Sequence, residues 1–368
     1  MPRNRLKFTR ARLYESLRTA HLERAHELQP ASILYRKRRY DFDTSLAAEL
    51  DVIQAGRLEA ALILSTSAIR SLEINEPLML SSLPATVLAL LGLRLRELLG
   101  GPHVLVVTYA IGNADPFTQI VRSTWKSQLR KRVERAMAAM VWQRVDRIAY
   151  GTAAAMVMYD GVLPHRPPGL RETLIPALPS PCRCRSDIPK EQDRVIYLGD
   201  LSERKGFPLV LRAWPEVVRQ RPGAKLTIVG KGVMESLARA AADKSAEIEV
   251  AIDPSRLEIH RQLQRSHVLV LPSQATSAWR EQVGLPIVEG LAHGCSVVTS
   301  TETGLATWLH ENGHSTVSPE SSPITLAAAI CQQLAGMPDL DEIYAVLPKV
   351  DGRQAADAWL FDGSPLGM

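Results

Sequence analysis

Residues 268–298 read VLVLPSQATSAWREQVGLPIVEGLAHGCSVV. An apolar run of strand length, Val268–Leu271, breaks at Pro272-Ser273 into a polar loop. A helical pattern starts near Gly284-Leu285, and a further β-branched run follows from Ser296. Pro286 suits the first helical position, where its missing N–H is no loss. Within this stretch Glu281 and Glu289 stand among apolar residues, although carboxylates usually lie on wet surfaces.

The same alternation extends on both sides. Strand candidates are 195–198, 225–229, 247–251, 268–271 and 296–299, and helix candidates 208–219, 234–243, 256–265 and 286–293. Strands alternating with helices of this length predict a parallel sheet covered on both faces. In such sheets ligands bind where strands end and helices begin. At the first such edge, YLGDLSERKG (197–206), Lys205 precedes a helix and can pair with a phosphate; the plain alternative is a surface lysine. At the second, LTIVGKG (226–232), Gly230 and Gly232 allow close backbone approach and Lys231 adds charge, although glycine after a strand is also ordinary turn chemistry. At the third, the free N–H groups of Gly284 and Leu285 face whatever anion lies at the helix start. Carboxylates cannot grip a diphosphate, but each accepts paired hydrogen bonds from a vicinal diol such as a ribose. The plain alternative there is a capping Glu281 and a half-exposed Glu289.

EQVGLPIVE (281–289), preceded by VLVLPS and followed by GLAHGCSVVTSTETG, resembles the E-x7-E signature of the GT4 family of retaining glycosyltransferases. YLGDLSERKG resembles that family's phosphate-binding segment and LTIVGKG its next strand end. SAWREQVG is similar to the subgroup that makes bacterial exopolysaccharides and related glycoconjugates. The resemblance covers roughly 190–335, in order and spacing. It implies an α/β GT-B fold, two Rossmann-like domains facing across a cleft, with the donor bound by the second domain and no metal or other cofactor needed. It also implies that Glu289 binds ribose hydroxyls, that Glu281 sits against the transferred sugar, and that Val283, Gly284 and Leu285 supply backbone amides. Lys205 would neutralise the diphosphate leaving group. Where family members commonly carry an arginine this chain has Asp200, so Arg204 or Lys231 substitutes for it or Asp200 points away. Over the first half the resemblance is loose, carried by LEINEPLM, VVTYAIGN and VDRIAYGT. It implies an acceptor side at Glu76, Tyr109 and Asn113, with no histidine at the strand end where the family often has one.

The expected organisation is an acceptor-side domain over 1–180, a linker over 181–192 and a donor domain over 193–340. A tail over 341–368 is expected to pack back on the first domain. The 368 residues suit two domains better than one core. Net charge +5 hides an asymmetry: residues 1–190 hold 28 Lys and Arg against 17 Asp and Glu, whereas 191–368 hold 16 against 22. Basic helical segments are expected over 9–28 and 117–145, and strands over 31–35, 71–75, 103–108 and 147–150. In the second basic helix Leu129, Val133, Ala136, Met137 and Met140 form an apolar stripe beside a cationic face, a pattern that can lie on anionic lipid. An ordinary core-packed helix is the alternative. No nucleic-acid module is present, and aromatics at 5% are few for base stacking.

The longest apolar run, 87–93, falls far short of the ~20 residues of a membrane span, and no leader of secretory type is seen. Cys182 and Cys184 are too few for a four-ligand zinc site, so reduced thiols in a cytoplasmic protein are expected. Together these readings predict a cytoplasmic glycosyltransferase, peripheral on the inner face of the plasma membrane. It would move a hexose from a nucleotide sugar to a lipid-linked or other glycan acceptor. The competing reading is a non-catalytic nucleotide-sugar-binding partner of another transferase.

Overall fold

The computed structural model describes residues 6–39, 41–118, 124–182, 184, 188–276, 279–336 and 340–363. Two units emerge: Met1–Pro176 together with Arg353–Met368, and Ala177–Gly352. The linker expected over 181–192 therefore lies inside the second unit, tied there by Cys182 N–H donating to Ala292 O at 2.7 Å. The expected tail is divided as well. Helix Leu340–Ala345 belongs to the second unit, while most of helix Gly352–Asp362 belongs to the first.

In the first unit the described strands are β1 (Arg10–Leu17), β2 (Ser32–Arg38), β3 (Val52–Gln54), β4 (Ser71–Ile74), β5 (Leu105–Ala110), β6 (Arg147–Tyr150) and β7 (Arg171–Leu174). They form a parallel sheet in the order β3-β2-β1-β4-β5-β6-β7. One expectation fails here: residues 10–17 are a strand, and the helix begins only at Thr19. The charges that made this segment look like a wet helix are buried. Arg12 bonds Glu73 at 2.9 Å and Asp357 at 2.7 Å, and Glu15 pairs with Arg36. Strands β3 and β7, short and partly polar, had no recognisable pattern. The second basic helix runs Trp125–Trp142, with 119–123 outside the described residues. A capping box starts it, Thr124 Oγ1 accepting from Ser127 N–H at 3.2 Å and Ser127 Oγ from Thr124 N–H at 3.0 Å.

In the second unit β8 (Arg194–Leu198), β9 (Lys225–Gly230), β10 (Ile248–Ile252), β11 (Val268–Leu271), β12 (Ser296–Ser300) and β13 (Ser315–Val317) make a parallel sheet in the order β10-β9-β8-β11-β12-β13. Strands β8, β11 and β12 are buried at every position. β11 and most of β8 therefore read as apolar runs rather than alternations, whereas β12, Ser-Val-Val-Thr-Ser, buries hydroxyl side chains as well. The first five of these strands and the four helices expected here lie within a residue or so of their predicted bounds, and β13 was not foreseen. Cys182 and Cys184 form a disulfide, their Cα atoms 5.4 Å apart and so within bridging reach. This corrects the expectation of reduced thiols throughout; Cys295 and Cys331 are free.

Candidate active site

All strands of the second sheet run the same way, so their carboxyl ends share one edge. The chain lays β9 and β10 on one side of β8 and β11, β12 and β13 on the other. The order therefore reverses between β8 and β11, the place where such sheets open a crevice for ligands.

Lys205 and Glu281 meet at that reversal. Lys205 leaves the loop after β8 and forms an ion pair with Glu281, on the loop after β11. Ser273 Oγ donates to the same carboxylate oxygen at 2.9 Å. Glu281 is 7% exposed and Lys205 9%. A buried pair of this kind is held in register by its surroundings, and losing one member strands the other charge. The two loops are joined by Gln274 N–H donating to Arg204 O at 2.8 Å. Their approach requires glycine at 206: φ is +70°, and a Cβ there would overlap the Pro272 carbonyl. Trp279 covers the cluster, its ring centroid 4.6 Å from the Arg204 guanidinium and 5.1 Å from Lys205 Nζ.

From Glu281 the chain runs through Val283 to Gly284, which caps helix Leu285–Ala292 at φ +83°. Pro286 stands second in that helix rather than first. Thr303 Oγ1 donates to Val283 O at 2.9 Å, and Gly304 N–H donates to Gln282 O at 2.9 Å. The loop after β12 thus props the helix start. The amides of Gly284 and Leu285 lie where a helix has no internal partner for its N–H groups.

Other predicted residues are engaged differently. Glu289 pairs with Arg256 at 2.5 Å, a partner that sequence reasoning did not foresee. Arg204 reaches Asp200 at 3.3 Å, so the carboxylate that stands in place of an arginine is answered by a cation. Lys231, just after Gly230, pairs with Asp253 at 3.0 Å. Ser273, Trp279, Thr303 and Arg256 were not singled out. Ser273, Trp279 and Thr303 lay within the quoted VLVLPS, SAWREQVG and GLAHGCSVVTSTETG, whereas Arg256 lay outside those motifs.

In the first unit Glu76 accepts from the amides of Ile111 and Gly112 at 3.0–3.2 Å, and Tyr159 Oη donates to it at 3.4 Å. Burial raises the Glu76 carboxyl above its ordinary range, and these three donors oppose the shift without cancelling it. Tyr109 and Asn113 belong to the same strand end, with the Arg353 guanidinium 4.9 Å from the Tyr109 ring. A separate cavity of 410 Å³, lined by Phe117, Arg135, Trp142 and His165 among others, includes none of the predicted site residues.

Two doubly wound parallel units, one with a lysine–glutamate pair beside a helix start at its switch point, define the class: a GT-B fold. Residues 192–335 of the chain match the family described as glycosyl transferases group 1. Among curated relatives it is similar to the amylovoran biosynthesis glycosyltransferase AmsK of Erwinia amylovora, 29% identical over 153 residues, which cover 40% of this chain and 37% of that protein. It is also similar to the phosphatidyl-myo-inositol mannosyltransferase of Mycobacterium tuberculosis, 27% identical over 154 residues, covering 42% and 40%. The chain thus spans about two-fifths of the length of these relatives. The fold resembles the crystal structure of Anabaena Alr3699/HepE in complex with UDP, with a TM-score of 0.62, 14% identity and 96% of each chain covered.

Proposed function

We propose that this protein transfers a hexose from a nucleoside diphosphate sugar to an acceptor hydroxyl, with retention at the anomeric carbon, in polysaccharide or glycoconjugate synthesis. The observation that carries this reading is the buried Lys205–Glu281 pair beside the start of helix Leu285–Ala292. When donor enters, the diphosphate takes the helix-start amides and attracts Lys205, which releases Glu281 to accept hydrogen bonds from the sugar. Glu289 exchanges Arg256 for the ribose hydroxyls, leaving that arginine beside the nucleotide. Cationic and amide stabilisation of the departing diphosphate does what a metal ion would otherwise do. The leaving diphosphate receives the proton of the attacking hydroxyl, so no dedicated protein base is required. Glu76, Tyr109 and Asn113 are assigned to the acceptor, a lipid-linked or other glycan. The basic helix Trp125–Trp142 is assigned to an anionic membrane surface.

The test is transfer of radiolabelled sugar from a panel of nucleotide sugars to lipid-linked glycans. Lys205→Ala and Glu281→Gln should each lower turnover about 100-fold or more, with thermal melts confirming that the variants fold. Near-normal rates in both would remove the assigned roles.

A second reading rests on a particular observation: Lys205, Glu281 and Glu289 are all ion-paired within the protein. A chain that binds donor without turning it over would keep these pairs intact. Donor-induced stabilisation with no transfer or donor hydrolysis under any condition would favour that reading.

A further inference from the structure

Behind helix Leu285–Ala292, at the end away from the candidate active site, four side chains from three separate segments converge. Cys182 and Cys184 come from the segment that opens the second unit, His260 from helix Arg256–Arg265, and His293 from the C-cap of helix Leu285–Ala292. Their ligating atoms all lie within 4.8 Å of one another. We propose that in the reduced protein these four residues hold one zinc ion in a closed Cys2His2 site.

The distances fit that ion. Tetrahedral zinc, with bonds of about 2.3 Å to sulfur and 2.0–2.1 Å to nitrogen, has edges of roughly 3.3 Å between nitrogens and 3.5 Å between sulfur and nitrogen. In the structure His293 Nε2 is 3.3 Å from His260 Nδ1, and Cys184 Sγ is 3.3 Å from His293 Nε2 and 3.5 Å from His260 Nδ1. The surrounding hydrogen bonds are those that support a metal site. His293 Nδ1 donates to Glu289 O at 2.7 Å, which fixes the ring and turns the Nε2 lone pair toward the cluster. Cys184 N–H points to Cys182 Sγ at 3.3 Å, and Gln264 Nε2 lies 3.6 Å from Cys184 Sγ, so each sulfur has a donor suited to a thiolate. Gln264 Nε2 also donates to Cys184 O at 2.7 Å, and Cys182 N–H to Ala292 O at 2.7 Å.

Sequence reading set Cys182 and Cys184 aside for lack of partners. The partners lie 76 and 109 positions beyond Cys184 and meet it only in the fold. With four protein ligands the ion has no open position, so its role is structural. It would clamp the first segment of the unit to the end of the helix that carries Glu289. This stands independently of the reaction proposed above.

The cysteines are joined as a disulfide in the structure, so loading requires reduction. A phosphine delivers two electrons to the S–S bond, takes up the oxygen of one water molecule and leaves two thiols. Zinc then forms two Zn–S and two Zn–N bonds, and the two thiol protons pass to solvent. The full-length protein, reduced with a phosphine, is given zinc, desalted and assayed for metal by mass spectrometry; a parallel sample is loaded with cobalt.

About one zinc per chain is expected, with a tetrahedral cobalt spectrum that includes thiolate-to-metal charge transfer. His260→Ala and Cys184→Ser should each weaken zinc binding at least about tenfold, while Cys331→Ser, outside the cluster, should not. Cys184 is exposed and His260 half-exposed, so both variants should fold, as circular dichroism would verify; should Cys184→Ser fail to fold, His260→Ala decides. Substoichiometric zinc in the reduced wild type, undiminished binding in the variants, or a cobalt spectrum without charge transfer would each overturn the proposal.

Discussion

His314 lies buried just before β13, its Nδ1 accepting from Val297 N–H at 3.2 Å. Burial lowers its pKa from 6.5 to about 4. The folded value lies below the unfolded one, so protonation favours unfolding. The stability due to neutral His314 is fully present above pH 6.5 and is lost as pH falls toward 4. At pH 5 the loss should be about 2 kcal/mol relative to neutral pH. His314→Asn retains an acceptor for Val297 N–H without a titrating ring. Urea unfolding at pH 7 and pH 5 should therefore show a smaller acid loss in the variant, and an equal loss in both would refute this account. The same scale governs the candidate active site. Lys205 and Glu281 are ordinary residues in sequence, and burial against each other makes their pairing selective.

At the scale of elements, helix Trp125–Trp142 departs from the usual pattern of an amphipathic helix. It buries Ala138, Val141 and Trp142, whereas Leu129, Val133 and Met140 from the predicted apolar stripe are exposed, as is Trp125. Cationic Lys126 and Arg132 are exposed beside them. Apolar residues left in water next to basic ones suit the boundary of an anionic bilayer. Among the described residues no helix is long and apolar enough to cross a membrane. Each lysine or arginine near an anionic leaflet adds about 1 kcal/mol, so Lys126→Gln with Arg132→Gln should weaken vesicle binding roughly thirtyfold. Co-sedimentation with anionic and zwitterionic vesicles checks this. Equal binding to both lipid types, or none to either, would count against a lipid-facing helix.

At the scale of the whole molecule, the chain leaves the second unit at Gly352 and returns to the first as helix Gly352–Asp362. That helix contributes Trp359, Leu360 and Phe361 to a cluster with Val107 and Ala149. It also completes a buried network in which Arg12 bonds Glu73 and Asp357, and Arg353 pairs with the same two acids. Burial alone would raise the Glu73 carboxyl, but Arg353 and Arg12 hold it below its ordinary range. Removing one member leaves a buried charge without its partner, at a cost of about 3–5 kcal/mol. Asp357→Ala should therefore lower hydrogen-exchange protection in β1 and β4 and leave β8 and β11 unchanged. An equal fall in both sheets, or in neither, would show that the network does not hold the first unit together.

The amino-acid sequence by itself determined much of the second unit's architecture: its first five strands, the four helices between them, and the edge bearing Lys205, Gly230, Glu281 and Gly284. Parallel strands buried on both faces are rich in apolar and β-branched residues, and helix starts carry their own proline and glycine marks, so these signals are local. The first unit was less legible. Its first strand hides Arg12 and Glu15 in ion pairs, which makes a core strand look like a charged helix. Only the tertiary structure decided which charges meet. Lys205 and Glu281 are 76 residues apart, and Arg12 and Asp357 are 345. The strength of such a pair depends on distance through space and on exclusion of water, and neither leaves a period in the chain.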